Sequence, residues 1–289
     1  MIKPCDIENL SQCAEIAFYR NNLPESNCAY CPNSKESIFK DFEAIINNPD
    51  CRMIGFFSED VLIGVLGCFF NPDNLWVDCI GPFFKNSWNH DHAKQMVLFS
   101  KAALGKAIRY NFYFNAANEN CHQLMVALAA ERQDNEYILL LDKADHKPQQ
   151  IEHHIIRYKS EYEAELMALH DNTFPDVYLT GKDIIAAIDK TREVFCVLDE
   201  DGVFSGYGVL NYADHTKRLT AEVFAVNKEK RGNGYGWALL NAVVESAFSK
   251  HNGNAIDLVV DKLNTNARAL YDSCGFKLLA ENEVFCLRV

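Results

Sequence analysis

Long hydrophobic runs are missing from this 289-residue chain. None approaches the roughly 20 apolar residues that a membrane helix requires, so no membrane partner is expected. The opening residues, Met1-Ile2-Lys3-Pro4-Cys5-Asp6, lack the basic start and apolar core of a secretory signal. Positive charge is scarce too: 28 Lys and Arg stand against 40 Asp and Glu, a formal charge of −12. Nucleic-acid binders usually carry the opposite sign, so no nucleic-acid partner is expected. The acidic surface suits a cationic amine substrate, although solubility alone accounts for it. Metal-ligand spacing is also absent. Cys28-x-x-Cys31 has neither a second such pair nor a nearby pair of histidines, and reads as a loop with two free thiols; no metal is expected. There is no Ser/His/Asp or Cys/His set, which leaves an acyl-enzyme route without support. The 11 cysteines are odd in number and scattered through apolar runs, the pattern of reduced, buried thiols in a cytoplasmic protein.

Glycine is sparse as well, at 14 residues, yet three of them fall within six positions. The stretch 219–238 (LTAEVFAVNKEKRGNGYGWA) organises the chain. Val223, Phe224 and Val226 are β-formers in a run too short for a helix. A polar turn follows, then Arg231-Gly232-Asn233-Gly234-Tyr235-Gly236. From Trp237 onward, Leu239, Leu240, Val243, Val244, Ala247 and Phe248 have helical spacing. A strand therefore runs into a glycine-rich turn that opens a helix, an arrangement that gathers backbone N–H groups at the positive end of a helix dipole and suits a phosphate. A P-loop would close the glycines with Lys-Ser or Lys-Thr, which is not here. A dinucleotide fingerprint would need glycine where Trp237 stands.

Arg231-x-x-Gly234-x-Gly236 after such a strand resembles the acyl-CoA pyrophosphate loop of the GCN5-related N-acetyltransferase (GNAT) superfamily. A second motif follows in the expected order. Residues 255–260 read as a strand, and then come Asn264-x-x-Ala267-x-x-Leu270-Tyr271 and Gly275-Phe276. Together the two motifs cover about the last seventy residues.

The remainder fits an internal duplication. Helical spacing covers 6–19, 35–47, 92–107 and 118–133, and strands are expected at 1–3, 52–57, 61–70, 74–82, 110–115 and 137–141. The polar, Pro-containing stretch 143–150 reads as a linker. Beyond it the order repeats: strand 153–157, helices 162–170 and 181–189, then strands 194–198, 203–212 and 219–226. The hairpins 56–70 and 196–212 match at an offset of 142, each with an acidic turn and a glycine (Gly64, Gly206) in the returning strand. The expected fold is α/β: two tandem GNAT domains, each a mixed, mainly antiparallel sheet flanked by helices, with a degenerate domain at 1–143 and a catalytic one at 151–289. At the same offset Arg231, Gly234 and Gly236 fall on Asn89, His92 and Lys94; separately, Asn118-x-x-Cys121-x-x-Leu124-Met125 echoes the second motif and puts Met125, a thioether that cannot donate a proton, where Tyr271 stands. The first half is then a scaffold, a dimer partner in a homodimer, or a lid over the acceptor site.

The resemblance implies acetyl-CoA as co-substrate and a small-molecule amine as acceptor. Backbone N–H groups of Gly232, Asn233, Gly234, Tyr235 and Gly236 would hold the pyrophosphate, with Arg231 adding charge or bracing the turn. The backbone of Phe224, Ala225 and Val226 would lie along pantetheine in a gap between splayed strands, and Asn264 would bond its arm, unless it serves only as a helix cap. Tyr271 is the expected general acid, against the plainer reading of a half-buried tyrosine that binds water. Glu222 is the expected base, directly or through a water. With regular alternation it shares a face with Phe224 and Val226; its plainer reading is a solvent-facing strand residue. His153 and His154 are expected at the surface, and Cys274 in packing. A non-catalytic acyl-CoA-binding or sensing protein is the rival reading, and an interaction scaffold a further one.

Overall fold

The structure, a computed structural model, describes residues 1–175, 179–212 and 218–289, the side chain of Arg218 excepted. The chain forms two compact units: Met1–Glu136 with Ala280–Val289, and Tyr137–Leu279.

The first unit contains β1 (Ile2–Pro4), α1 (Leu10–Asn21), α2 (Lys35–Asn47), β2 (Arg52–Ser58), β3 (Val61–Asn71), β4 (Trp76–Phe84), α3 (His90–Ala103), β5 (Arg109–Asn115), α4 (Glu119–Ala127) and β6 (Glu131–Arg132). Side-chain caps fix several helix starts: Ser34 accepts from the N–H of Ser37, Asn89 from His92 and Asn118 from Cys121. Strands β2 and β3 are joined through Glu59 and Asp60, both at positive φ (48° and 64°), the backbone of a tight hairpin whose twist matches its strands. Expected helix 118–133 stops early, because Ala129 turns to φ 53° and β6 follows.

The second unit contains β7 (Glu136–Asp142, from Tyr137 on), β8 (His154–Arg157), α5 (Glu163–Thr173), α6 (Gly181–Ala186), β9 (Arg192–Leu198), β10 (Phe204–Asn211), β11 (Arg218–Val226), α7 (Tyr235–Ser249), β12 (Ala255–Asp261), α8 (Thr265–Ser273) and the start of β13 (Lys277–Arg288). Its strands run in the order β7-β12-β11-β10-β9-β8. One face, with Phe195, Val197, Leu210, Leu219 and Ala221, packs on Leu239, Leu240, Val243 and Phe248 of α7. The other, with Val194, Cys196, Tyr207, Val209 and Ala225, packs on Leu166 of α5 and Ile184 of α6.

These units do not follow the expected boundaries 1–143 and 151–289. Ten residues at the C-terminus belong to the first unit, where Asn282–Arg288 run antiparallel to β5 from Asn115 to Arg109. Conversely β7, from the first half of the sequence, neighbours β12 in the second unit. Each sheet thus takes a strand from the other half of the chain, because an unpaired ladder of buried N–H and C=O groups is costly wherever its partner lies in sequence. All 11 cysteines are free, ten of them buried.

Candidate functional site

The second unit opens where β11 leaves its neighbour. Parallel pairing with β12 covers only Arg218–Ala255, Leu219–Ile256 and Thr220–Asp257, although β11 runs on to Val226 and β12 to Asp261. On its other edge β11 stays paired with β10 as far as Gly206–Val226, but the register slips: Val209 faces Val223 and Leu210 faces Ala221, so Glu222 is an extra residue. Such a bulge bends its strand and raises its twist. Bulge and parting together leave a gap between residues 222–226 and 258–261, with strand N–H and C=O groups along its walls.

At the end of β11 the chain makes a short turn (Lys228–Lys230) and enters α7 through Gly232 and Gly234, at φ 85° and 80°. Glycine adopts this left-handed backbone freely. Gly234 is the N-cap of α7 and offers no side chain to its first turn. Among the described residues no hydrogen bond is recorded for the backbone N–H of Tyr235, Gly236 or Trp237. Unlike the side-chain-capped helices, α7 therefore keeps its first N–H groups and its dipole for an anion. Of the two roles expected for Arg231, the structure displays bracing: its Nε donates to the carbonyl of Val226 at 3.1 Å, while the residue stays exposed. Asn233 and Lys230 stiffen the same turn, Asn233 Nδ2 to Lys230 O at 3.1 Å and Lys230 Nζ to Asp199 at 2.7 Å.

Sequence reading missed His153. It is half-buried, its ring lies edge-on to Tyr235 at 5.0 Å, and its Nε2 is 2.8 Å from where a β-carbon on Gly234 would stand. Only the third dimension reveals this, since 81 residues separate the two.

Glu222 does not share a face with Phe224 and Val226. The bulge breaks the alternation: Phe224 and Val226 turn to the α7 side, Val223 and Ala225 to the α5 side. Nor does Glu222 face solvent. Arg192 grips its carboxylate with both Nε (2.5 Å) and Nη2 (2.8 Å), and Asn211 Nδ2 donates at 3.0 Å. Asn264 caps α8, accepting from the N–H of Ala267 at 3.1 Å. Tyr271 is half-buried against the α7 core with its ring 6.1 Å from Phe276, and burial pushes its phenol up to about 12. It is neutral at physiological pH and holds its proton. Cys274 packs as expected, with Asn241 Nδ2 at 3.4 Å from its sulfur.

The equivalent region of the first unit is built differently. Between β4 and α3 the connection is three residues shorter than between β11 and α7, so the N-caps align Asn89, not His92, with Gly234. Asn89 spends its side chain on the first turn of α3, and His92 stacks on Phe56 at 3.8 Å. Met125 is fully buried.

The comparisons agree with this architecture. Residues 160–276 match the family model described as Acetyltransferase (GNAT) family. A GCN5-related N-acetyltransferase from Sphaerobacter thermophilus superposes with a TM-score of 0.79 at 12% identity, covering 100% of this chain and 96% of the other. A tandem GNAT protein from the clavulanic acid biosynthesis pathway gives 0.76 at 12% identity, covering 100% and 98%. A GNAT-family acetyltransferase from Colwellia psychrerythraea gives 0.61 at 14%, covering 100% of both chains. No curated protein matches the chain. Residues 160–276 are thus similar to the GNAT family of acetyltransferases, and the whole chain has the fold of two GNAT domains in tandem. Among the described residues no cluster suits a metal ion, and no helix is long and apolar enough to cross a membrane.

Proposed function

We propose that the second unit is an acetyl-CoA-dependent N-acetyltransferase that moves an acetyl group directly to a primary amine of a small molecule. The observation that carries this reading is the continuity of the gap between β11 and β12 with the uncapped start of α7. An extended pantetheine chain fits the gap as an added strand. Its pyrophosphate end then meets the N–H groups of Gly232, Asn233, Gly234, Tyr235 and Gly236. The backbone of Phe224, Ala225 and Val226 lines the gap, and Asn264, the cap of α8 just past the end of β12, offers its side-chain NH2 to the arm.

In this reading the neutral amine attacks the thioester carbonyl, the C–S bond breaks, and Tyr271 gives its proton to the departing thiolate. A phenol near 12 is about three units weaker an acid than an ordinary thiol, an uphill transfer of roughly 4–5 kcal/mol if done separately. Donation therefore accompanies C–S cleavage. Glu222, held by two N–H groups of Arg192 and one of Asn211, orders a water that takes the amine proton. The first unit supplies structure, not chemistry.

The test is thiol release from acetyl-CoA over a panel of small amines, with calorimetry alongside. Turnover with at least one amine and one equivalent of coenzyme A per chain are expected. Tight binding without turnover on any amine would leave the sensing role instead, for which the firm Arg192–Glu222 pair is the favouring observation. Absence of binding would end both readings.

A further inference from the structure

In the first unit, the gap that corresponds to the one between β11 and β12 is full. Strands β4 and β5 are paired in parallel only from Trp76–Arg109 to Cys79–Phe112. Beyond that point β4 carries its own bulge at Gly81-Pro82, where Gly67 faces Ile80 and Val65 faces Phe83. Into the parting comes the segment after α1. Cys28 forms an antiparallel bridge with Phe114 of β5. The N–H of Ala29 donates to Tyr113 O at 2.8 Å, and the N–H of Asn115 to Asn27 O at 3.3 Å. Toward β4, the N–H of Gly81 donates to Cys28 Sγ at 3.4 Å, and the thiol lies 3.5 Å from Cys79 O. The segment thus bonds both walls. We infer that residues 27–29 are a built-in occupant of the first unit's donor cleft, an internal strand in the position that the second unit keeps for an acyl-CoA arm.

Three further contacts follow the same plan. Asn118 occupies the cap position of α4 that Asn264 occupies in α8, and its Nδ2 donates to Asn27 O at 3.2 Å. The sulfur of Cys28 meets the N–H at the bulge of β4, the strand equivalent to β11. At the end of the cleft beside the β4–α3 connection, the Arg20 guanidinium donates to the carbonyls of Phe84 (2.7 Å), Lys85 (2.9 Å) and Asn86 (2.5 Å). This connection thus turns three carbonyls inward, already bonded to Arg20, where the turn before α7 offers N–H groups. What is left beside the segment is a cavity of about 250 Å³ lined by Arg20, Ser26, Pro82, Phe84, Trp88 and Asn120. It falls short of the roughly 300–1,000 Å³ of ordinary ligand sites.

The occupant is anchored from behind. Asn21, almost fully buried, accepts the N–H of Cys28 at 2.8 Å and donates to Cys31 O at 2.9 Å, while Asn27 Nδ2 donates to Asn21 O at 2.8 Å. Among the described residues no segment bridges the matching edge of β12. The first unit therefore closes its split sheet without a ligand, and the second does not. This reading concerns the first unit's own hydrogen bonds and stands whether or not the second unit turns over an amine.

Amide hydrogen exchange on the full-length protein tests it. The N–H groups of Ala29, Gly81 and Asn115 are expected to exchange as slowly as those of β3, with no change on adding coenzyme A. Asn21→Ala should speed exchange across 26–31 by about tenfold or more, the effect of losing one or two buried hydrogen bonds, with α7 unaffected. If that variant unfolds the first unit, Cys28→Ala decides: exchange at Gly81 should rise about tenfold while β3 holds. Rapid exchange of 26–31 in the unaltered protein, slowing of Gly81 or Asn115 by coenzyme A, or an unchanged Gly81 in Cys28→Ala would each overturn the inference.

Discussion

At the scale of single residues, Gly236 offers the cleanest separation of fold from ligand. Gly234 is confounded, because any β-carbon there meets both a left-handed backbone and the His153 ring. Gly236 has ordinary helical space, with Leu270 Cδ2 3.4 Å from where a β-carbon would stand. Aspartate at the second position of a helix is favoured by the dipole, so Gly236→Asp should keep its melting temperature. Its carboxylate would nonetheless repel a pyrophosphate, and coenzyme A affinity should fall at least about tenfold by titration. Unchanged affinity would remove the glycine turn from the donor site. Tyr271→Phe removes only a hydroxyl and keeps the ring that packs beside Leu270 and Phe276. Single-turnover rates should drop by about 10²–10⁴ if the phenol is the general acid, with coenzyme A affinity unchanged. A loss of about tenfold or less would reduce Tyr271 to ordering water.

At the scale of elements, two strands that part after three paired residues leave backbone groups along 222–226 and 258–261 for a ligand to satisfy. Coenzyme A should therefore slow amide exchange in both stretches and in the first turn of α7. Protection confined to α7 would mean that the phosphate end binds while the gap stays empty. The bulge acts on side chains as well as backbone: by adding one residue it sends Glu222 toward Arg192 and Asn211 while Phe224 and Val226 remain on the α7 face.

At the scale of the whole molecule, the exchanged strands tie the halves of the sequence into both units. Val284, Phe285 and Leu287 are buried in the first unit, at about 2 kcal/mol each. Their sum rivals the 5–15 kcal/mol that typically holds a domain together. Truncation after Leu279 should unfold the first unit, seen as protease sensitivity of 1–136; a protease-resistant first unit in the shortened chain would refute this. Buried acids set the alkaline limit. Burial pushes Cys28 to about 11 and Cys196 to about 12 from 9.0, and Tyr271 to about 12 from 10.0. Below pH 9 both folded and unfolded chains keep these protons, and the groups do not alter stability. From pH 9 toward 11–12 only the unfolded chain releases them, so unfolding becomes steadily easier. Denaturant midpoints should fall as pH rises through that window, and Cys196→Ala should flatten the slope.

Local chemistry made much of this readable from the chain alone. Glycines at 232, 234 and 236 between a β-forming run and a helical stripe could hardly be anything but a strand, a turn and an open helix start, because φ preference and apolar spacing act within a few residues. The duplication was readable for the same reason, as matching hairpins with acidic turns. Tertiary structure alone decided what depended on distant partners. The bulge at Glu222 exists only relative to β10, the pair with Arg192 only across 30 residues, and the contact of His153 with the glycine turn only across 81. Neither the departure of Asn282–Arg288 to β5 nor the insertion of Cys28 between β4 and β5 leaves a mark in periodicity. A strand's pattern records which faces are buried, while the edge it pairs with is settled by whichever backbone groups would otherwise go without a partner.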